Sequence, residues 1–161
     1  MIEEINGDLL KLFNKKKFDV IVHGANCFHT MGAGIAKGIS RYKAAVVADK
    51  DTITHDPHKL GTISVGKVRV KGHIINAYTQ FYPGANFEYT AFISCLQIIN
   101  IKYRGKHLGI PQIGCGIGGG DWYVVKKLIQ MYLTDVNVTI VYYDKGELTV
   151  GKAEANPKFG L

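Results

Sequence analysis

Apolar residues recur along the chain at two spacings, and the alternation of those spacings sets out its elements. Ile2 to Asn6 reads as a short strand that leads through Gly7 into a helix over Asp8–Phe13. Phe18-Asp19-Val20-Ile21-Val22, dense in β-branched residues, predicts a second strand. Asn26 to Met31 is loop-like, and Gly32-Ala33-Gly34-Ile35-Ala36 opens a helix to about Tyr42, with more helix through Ala48. Asp49 to Lys59 reads as an exposed connection. Strand signals then follow at Leu60–Val65, Val68–Val70 and His73–Tyr78. Phe92, Leu96 and Ile99 fall on one face of a helix over Phe87–Tyr103. A short strand at His107–Pro111, a helix at Asp121–Leu133 and a strand at Val136–Asp144 complete the series, and no element is assigned from Lys145 onward. Strands alternating with helices predict an α/β fold with a mostly parallel sheet covered on both faces, and the adjacent strand signals in the middle add antiparallel pairs.

Composition narrows the class. The 161 residues are 47% hydrophobic and 20% charged, which suits one domain able to bury about 69% of its extended surface. No apolar run approaches the ~18–20 residues of a membrane span, and Met1-Ile2-Glu3-Glu4 lacks the hydrophobic core of a secretory leader. A cytoplasmic protein is expected. Cys27, Cys95 and Cys115 cannot all pair with one another and form no CxxC, which also fits a reducing compartment. The formal charge is +7, which favours anionic partners without choosing among them. Lys15-Lys16-Lys17 and Lys102-Tyr103-Arg104-Gly105-Lys106 read as solvated clusters. No nucleic-acid motif accompanies them, and nucleic acid is not an expected partner.

The chemistry concentrates in two strand-to-helix junctions, where many of the 19 glycines gather. The first runs from Val22-His23-Gly24-Ala25-Asn26-Cys27 to Met31-Gly32-Ala33-Gly34-Ile35-Ala36. The second is Ile110-Pro111-Gln112-Ile113-Gly114-Cys115-Gly116-Ile117-Gly118-Gly119-Gly120-Asp121-Trp122. Glycine lets consecutive N–H groups turn toward one point, and such nests hold phosphate without a basic side chain. In open α/β sheets, ligands collect at the carboxyl ends of the strands, where both loops emerge. The pair therefore suits a diphosphate. Gly114-Cys115-Gly116-Ile117-Gly118-Gly119 also matches the dinucleotide fingerprint G-x-G-x-x-G, with Asp144 near the place of its acid. It lies in the last third of the chain, however, with too few residues after it for the strands that such a domain requires, so a nicotinamide oxidoreductase is the weaker alternative. Neither loop carries the Gly-Lys-Ser/Thr of a P-loop. Cys27 and His29 lack further ligands for a metal, and no cofactor is expected.

Together with Gly7-Asp8-Leu9 and Val141-Tyr142-Tyr143-Asp144, these motifs resemble those of macrodomains, above all the small phage, bacterial and yeast branch described as ADP-ribose-1″-phosphate phosphatases. The resemblance spans residues 1–144 and leaves 145–161 as an extension. It implies a three-layer α/β/α sandwich with a central mixed sheet and a cleft for ADP-ribose or a 1″-substituted derivative; the oligomeric state is left open by the sequence, with a monomer favoured. It also implies roles. Asp8, next to Leu9, accepts from the adenine amino group, and Asn26 binds the distal ribose. Gly32, Ala33, Gly34 and Ile35 enclose the diphosphate and ribose together with Gly114, Cys115, Gly116, Ile117 and Gly118. Tyr143 stacks on adenine. His23 and Asp121 are the catalytic candidates, a proton-exchanging imidazole and a carboxylate that orients the attacking water. Several of these residues also have a purely structural reading. Asp8 and Asp121 suit helix caps, Asn26 a turn, and His23 and Tyr143 packing. A reader of ADP-ribose without turnover, or a hydrolase of protein-linked ADP-ribose, remains open. The covalent lysine of a related branch has no counterpart in Asn76-Ala77-Tyr78-Thr79-Gln80-Phe81.

Overall fold

The structure, a computed structural model, describes residues 2–143 and the backbone of Thr149–Val150. Its strands are β1 (Ile2–Gly7), β2 (Val20–Asn26), β3 (Ile63–Arg69), β4 (Gly72–Gln80), β5 (His107–Ile110), β6 (Asn137–Tyr143) and β7 (Thr149–Val150). Its helices are α1 (Leu9–Asn14), α2 (Gly34–Ile39), α3 (Lys43–Lys50), α4 (Tyr89–Lys102) and α5 (Trp122–Tyr132), with a 3-10 turn at Pro57–Lys59. The seven strands form one sheet in the order β3-β4-β2-β5-β6-β1-β7. The five central strands are parallel; β3 runs antiparallel to β4, and β7 antiparallel to β1. The expected central mixed sheet is therefore present.

Pleat parity divides the core into two layers. Val20 and Val22 of β2 point with Ile75, Leu108 and Ile140 toward Phe92, Leu96 and Ile99 of α4 and Val125 and Ile129 of α5. Ile21, one residue out of phase, packs with Ile5, Ile74 and Val141 against Leu12 and Phe13 of α1, Ile39 of α2 and Ala45 of α3. Helices α1–α3 thus cover one face of the sheet and α4–α5 the other, the three-layer α/β/α sandwich.

Several boundaries differ from the sequence expectation, each for a local reason. Strand β2 continues four residues past Val22, because His23 to Asn26 remain in register with Asn76 to Gln80 of β4. The helix expected from Gly32 to about Tyr42 spans Gly34–Ile39 with Ser40 as its cap, and the further helix expected through Ala48 is α3, opened by extended Tyr42. The signals at 60–70 merge into the single strand β3. In the tail left without an element, Thr149 and Val150 pair with Asn6 and Ile5. Asp144 and residues 151–161 lie outside the described residues.

Phe92 is fully buried where α4 meets the sheet. Phe92→Ala should destabilise the fold by about 3–5 kcal/mol in urea titrations, the usual cost of a large cavity in a packed core.

Candidate functional site

Sheet order creates the crevice. After β2 the chain passes to α2 on one face, and after β5, its neighbour, it passes to α5 on the other. The two connections diverge, and a gap opens at the carboxyl ends of the strands. That gap is a cleft of about 850 Å³. It crosses the sheet from Thr79 and Gln80 on β4, past Asn26 and Gln112, to Asp8 after β1 and Tyr143 on β6.

Twelve of the thirteen expected ligand residues line this cleft: Asp8, Leu9, Asn26, Gly32–Ile35, Gly114, Gly116–Gly118 and Tyr143. Among the described residues, the amides of Gly32, Ala33, Gly34 and Ile35 on one wall donate to no main-chain acceptor, and neither do those of Gly116, Ile117 and Gly118 on the other. Both segments line the cleft, and their amides are orphan donors of the kind that nests present to an anion. Gly34, with φ +58°, and Gly114, with φ +74°, hold the left-handed conformations that turn these segments, and a Cβ on Gly114 would stand 2.3 Å from the Phe87 ring. Among the described residues no lysine or arginine lines the cleft, so the donors it offers an anion are uncharged: main-chain amides and the side chains of Thr79 and Gln112.

The side chains at the two ends differ. Asp8 caps α1, its Oδ1 accepting from the amides of Leu10 and Lys11 at 3.1 and 3.2 Å, while the residue as a whole still faces the cleft. Asn26 closes its own loop: Nδ2 donates to Thr30 O and Oγ1 at 3.1 and 2.7 Å, and Oδ1 accepts from Phe28 N at 2.9 Å. Both Nδ2 hydrogens are committed to the loop, so only Oδ1 keeps an acceptor position for a ligand. The sequence reading missed three polar residues of the cleft. Gln80 holds the neighbouring turn by donating to Tyr82 O and Gly84 O. Thr79 Oγ1 and Gln112 Nε2 are buried without any hydrogen-bond partner. Such a group costs about 1–3 kcal/mol unless something else satisfies it. Gly24 makes room for Thr79, since a Cβ there would lie 3.0 Å from Oγ1.

Three expected site residues are placed elsewhere. His23 is fully buried on the opposite pleat from Gly24, in the α3 layer, where Nε2 donates to Asn76 Oδ1 at 2.5 Å and Asn76 Nδ2 reaches Ala45 O. Burial holds its pKa below the ordinary histidine value, against the opposing pull of the Asn76 bond and the Asp49 charge. It has no path to a ligand. Asp121 is the cap of α5, accepting from Tyr123 N at 2.9 Å while its own amide donates to Tyr89 Oη; it is exposed and outside the cleft. Cys115 is buried beneath the second loop with its thiol pushed up to about 12 by desolvation. The titratable side chains that do line the cleft are Asp8 and Tyr143, both at the β1–β6 end. Among the described residues, no three His, Cys, Asp or Glu side chains gather as a metal site.

No family model matches the chain. An uncharacterized 17.5 kDa protein from the tk-vs intergenic region of Enterobacteria phage T4 is 36% identical over 153 residues, which cover 89% of this chain and 97% of that protein. Among solved structures, the macrodomain of Mycobacterium tuberculosis DarG is 26% identical, with 88% of this chain and 97% of that one covered and a TM-score of 0.67. Thermosipho africanus DarTG, solved in complex with ADP-ribose, is 20% identical with a TM-score of 0.73; the match takes in 99% of this chain and 45% of that one.

Two measurements probe this geometry. A histidine kept neutral in the fold takes up a proton on unfolding, so its contribution to stability is present above the unfolded pKa of ~6.5 and is lost as pH falls below it. Replacing His23 with Gln should flatten the fall of unfolding free energy between neutral pH and pH 5, by up to about 1.4 kcal/mol per pH unit, the limit for one proton. Gly34→Ala should cost about 1–2 kcal/mol through its positive φ alone, since its Cβ meets nothing within 4 Å. Gly32→Ala, equally open but without a positive φ, should stay within about 0.5 kcal/mol.

Proposed function

The chain belongs to the macrodomain family, and from that premise we propose that its cleft binds ADP-ribose and hydrolyses a group from the 1″ position, phosphate first. The observation that carries this reading is the set of seven amides, three on one wall and four on the other, that no main-chain acceptor within the described residues satisfies. A diphosphate between the walls supplies acceptors to both at once. Adenine takes the β1–β6 end, where Asp8 offers an acceptor and Tyr143 an exposed ring. The distal ribose and its 1″ substituent lie toward β4, beside Asn26, Thr79 and Gln112.

The placement of His23 and Asp121 changes the mechanism expected from sequence. At the β4 end the available side-chain groups are neutral: the Thr79 hydroxyl, the Gln112 amide and the Asn26 carbonyl. They orient rather than exchange protons. In our reading, Thr79 and Gln112 hold the attacking water and a phosphoryl oxygen. The water oxygen forms the new bond to phosphorus as the bond from phosphorus to O1″ breaks. The proton needed by O1″ comes from the phosphate monoanion, and the water proton passes to a phosphoryl oxygen. Loop amides stabilise charge on the transferring group, the usual large term in such sites. A second reading, binding without turnover, is favoured by the absence of an ionisable side chain at this end among the described residues.

ADP-ribose at a hundred times its Kd should stabilise the native state by about 2.7 kcal/mol, raising Tm by roughly 5–11 °C for a chain of this size; no shift overturns the binding assignment. Phosphate should be released from ADP-ribose 1″-phosphate, about tenfold or more slowly in Thr79→Val and Gln112→Leu, and at an unchanged rate in Asp121→Asn. Tight ADP-ribose binding with no phosphate release decides for the second reading.

A further inference from the structure

The charge of this protein is concentrated at one end. The amino ends of the parallel strands and the connections that lead into them carry Lys15, Lys16, Lys17, Lys67, Arg69, Lys71, Lys102, Arg104 and Lys106 against Asp19 and Asp135, with Glu3 and Glu4 at the start of β1. Nine cations and four carboxylates leave +5 of the chain's formal +7 at this end. The segments are distant in sequence but contiguous in space. His73 N donates to Asp19 O at 2.9 Å, and Asp19 N to His107 O at 3.0 Å. Arg69 Nη2 donates to Phe13 O at 2.6 Å, and Gly105 N to Asp135 O at 2.8 Å. Desolvation, and after it the charges of Lys67, Lys102 and Lys106, hold His73 below its ordinary pKa.

We propose that this end of the sheet, opposite the cleft, is a docking surface for nucleic acid, engaged through the phosphate backbone. Its carboxylates are already occupied: Asp19 Oδ2 accepts from His107 N at 2.9 Å, Asp135 Oδ2 pairs with Arg104 at 3.3 Å, Glu3 Oε1 accepts from Thr139 Oγ1, and Glu4 pairs with Lys126. The seven lysines are exposed and, among the described residues, have no ion pair, unlike Lys126, which pairs with Glu4 on the α4–α5 side of the sheet at 2.6 Å. Lys16 holds φ +63° at the tip of its turn, a conformation that asparagine or glycine adopts more readily. The cations follow the bases of β4, β2 and β5, neighbours about 4.8 Å apart. They form a row longer than a single phosphate and suited to a linear polyanion. The end is built from turns and offers no amphipathic helix to a bilayer. Val70, at the hairpin tip and 92% exposed, makes an anionic membrane the rival occupant that a test must separate.

The test is fluorescence anisotropy of the full chain with a short labelled single-stranded oligonucleotide across a salt series. Binding should weaken with a log–log slope of about −0.7 per phosphate engaged. Replacing Lys15, Lys16 and Lys17 together with Gln should lower affinity about tenfold or more and make the slope shallower by up to about 2. The same substitution at Lys126 and Lys127 should change neither. An unaltered thermal melt shows that the triple variant folds. Saturating ADP-ribose should leave oligonucleotide affinity unchanged, since the cleft lies at the other end; oligonucleotide binding without ADP-ribose binding would remove the cleft assignment and leave this one standing. No salt-dependent binding, a triple variant equal to the parent, or tighter binding to phosphatidylserine vesicles than to the oligonucleotide overturns the proposal.

Discussion

The divergence of two chain crossings at neighbouring strands governs the rest of this molecule. Strands β2 and β5 lie side by side, yet the segments that follow them leave for opposite faces of the sheet. No main-chain hydrogen bond joins the two segments among the described residues. The amides of Gly32–Ile35 and Gly116–Gly118 are therefore left facing shared space. Buried main-chain donors are almost always paired in native proteins; here they are kept accessible instead, and the proposed diphosphate is what would complete them. The glycines follow from this constraint, since Gly34 and Gly114 turn the loops through φ values that other residues resist.

The same sheet geometry explains which side chains take part. Successive residues on a strand point to opposite faces, so His23 shares the side of Ile21 and is sealed under α3, while Gly24, next in sequence, opens onto the cleft. One position of parity separates a ligand-facing residue from an interior one. His23 then serves the packing of α3 through Asn76, whose amide reaches Ala45 O and Ser64 Oγ. Thr79, buried beneath the cleft with an unpaired hydroxyl, occupies the space that Gly24 leaves empty. The polar chemistry of the site thus sits where the backbone leaves room for it.

Much of this was legible in the sequence, for identifiable reasons. Apolar periodicity located the strands and long helices, because each must bury one face. The two glycine clusters pointed to the cleft, because nests need glycine at particular turns, and the resemblance to macrodomains singled out Asp8 and Tyr143, which by themselves read as a helix cap and a packed strand residue. What remained hidden is what pleat and cap geometry decide. Asp121 in a strand–loop–helix context reads equally as base or cap, and only the bond to Tyr123 N settles its position. Thr79, Gln80 and Gln112 carry no motif, and their relevance depends on unpaired atoms in three dimensions. The lysines at 15–17 and 102–106 look like ordinary solvated charge because nothing in the linear order says that β2 and β5 are neighbours.

That separation of charge has a physical logic. Had the cleft been lined with lysines, its hold on a diphosphate would weaken with ionic strength, and each lysine would lose rotamer freedom on binding. Amides fixed by turn geometry carry no net charge and lose little freedom when a ligand arrives, so discrimination rests on the spacing of donors rather than on field strength. Excess cations near such a cleft would attract competing anions to it without regard to shape. Gathering most of the described positive charge at the far ends of the strands keeps it away from the cleft and gives the opposite end a long-range field of its own. On the two proposals, each end recognises an anion by a different rule, one by fit and the other by charge.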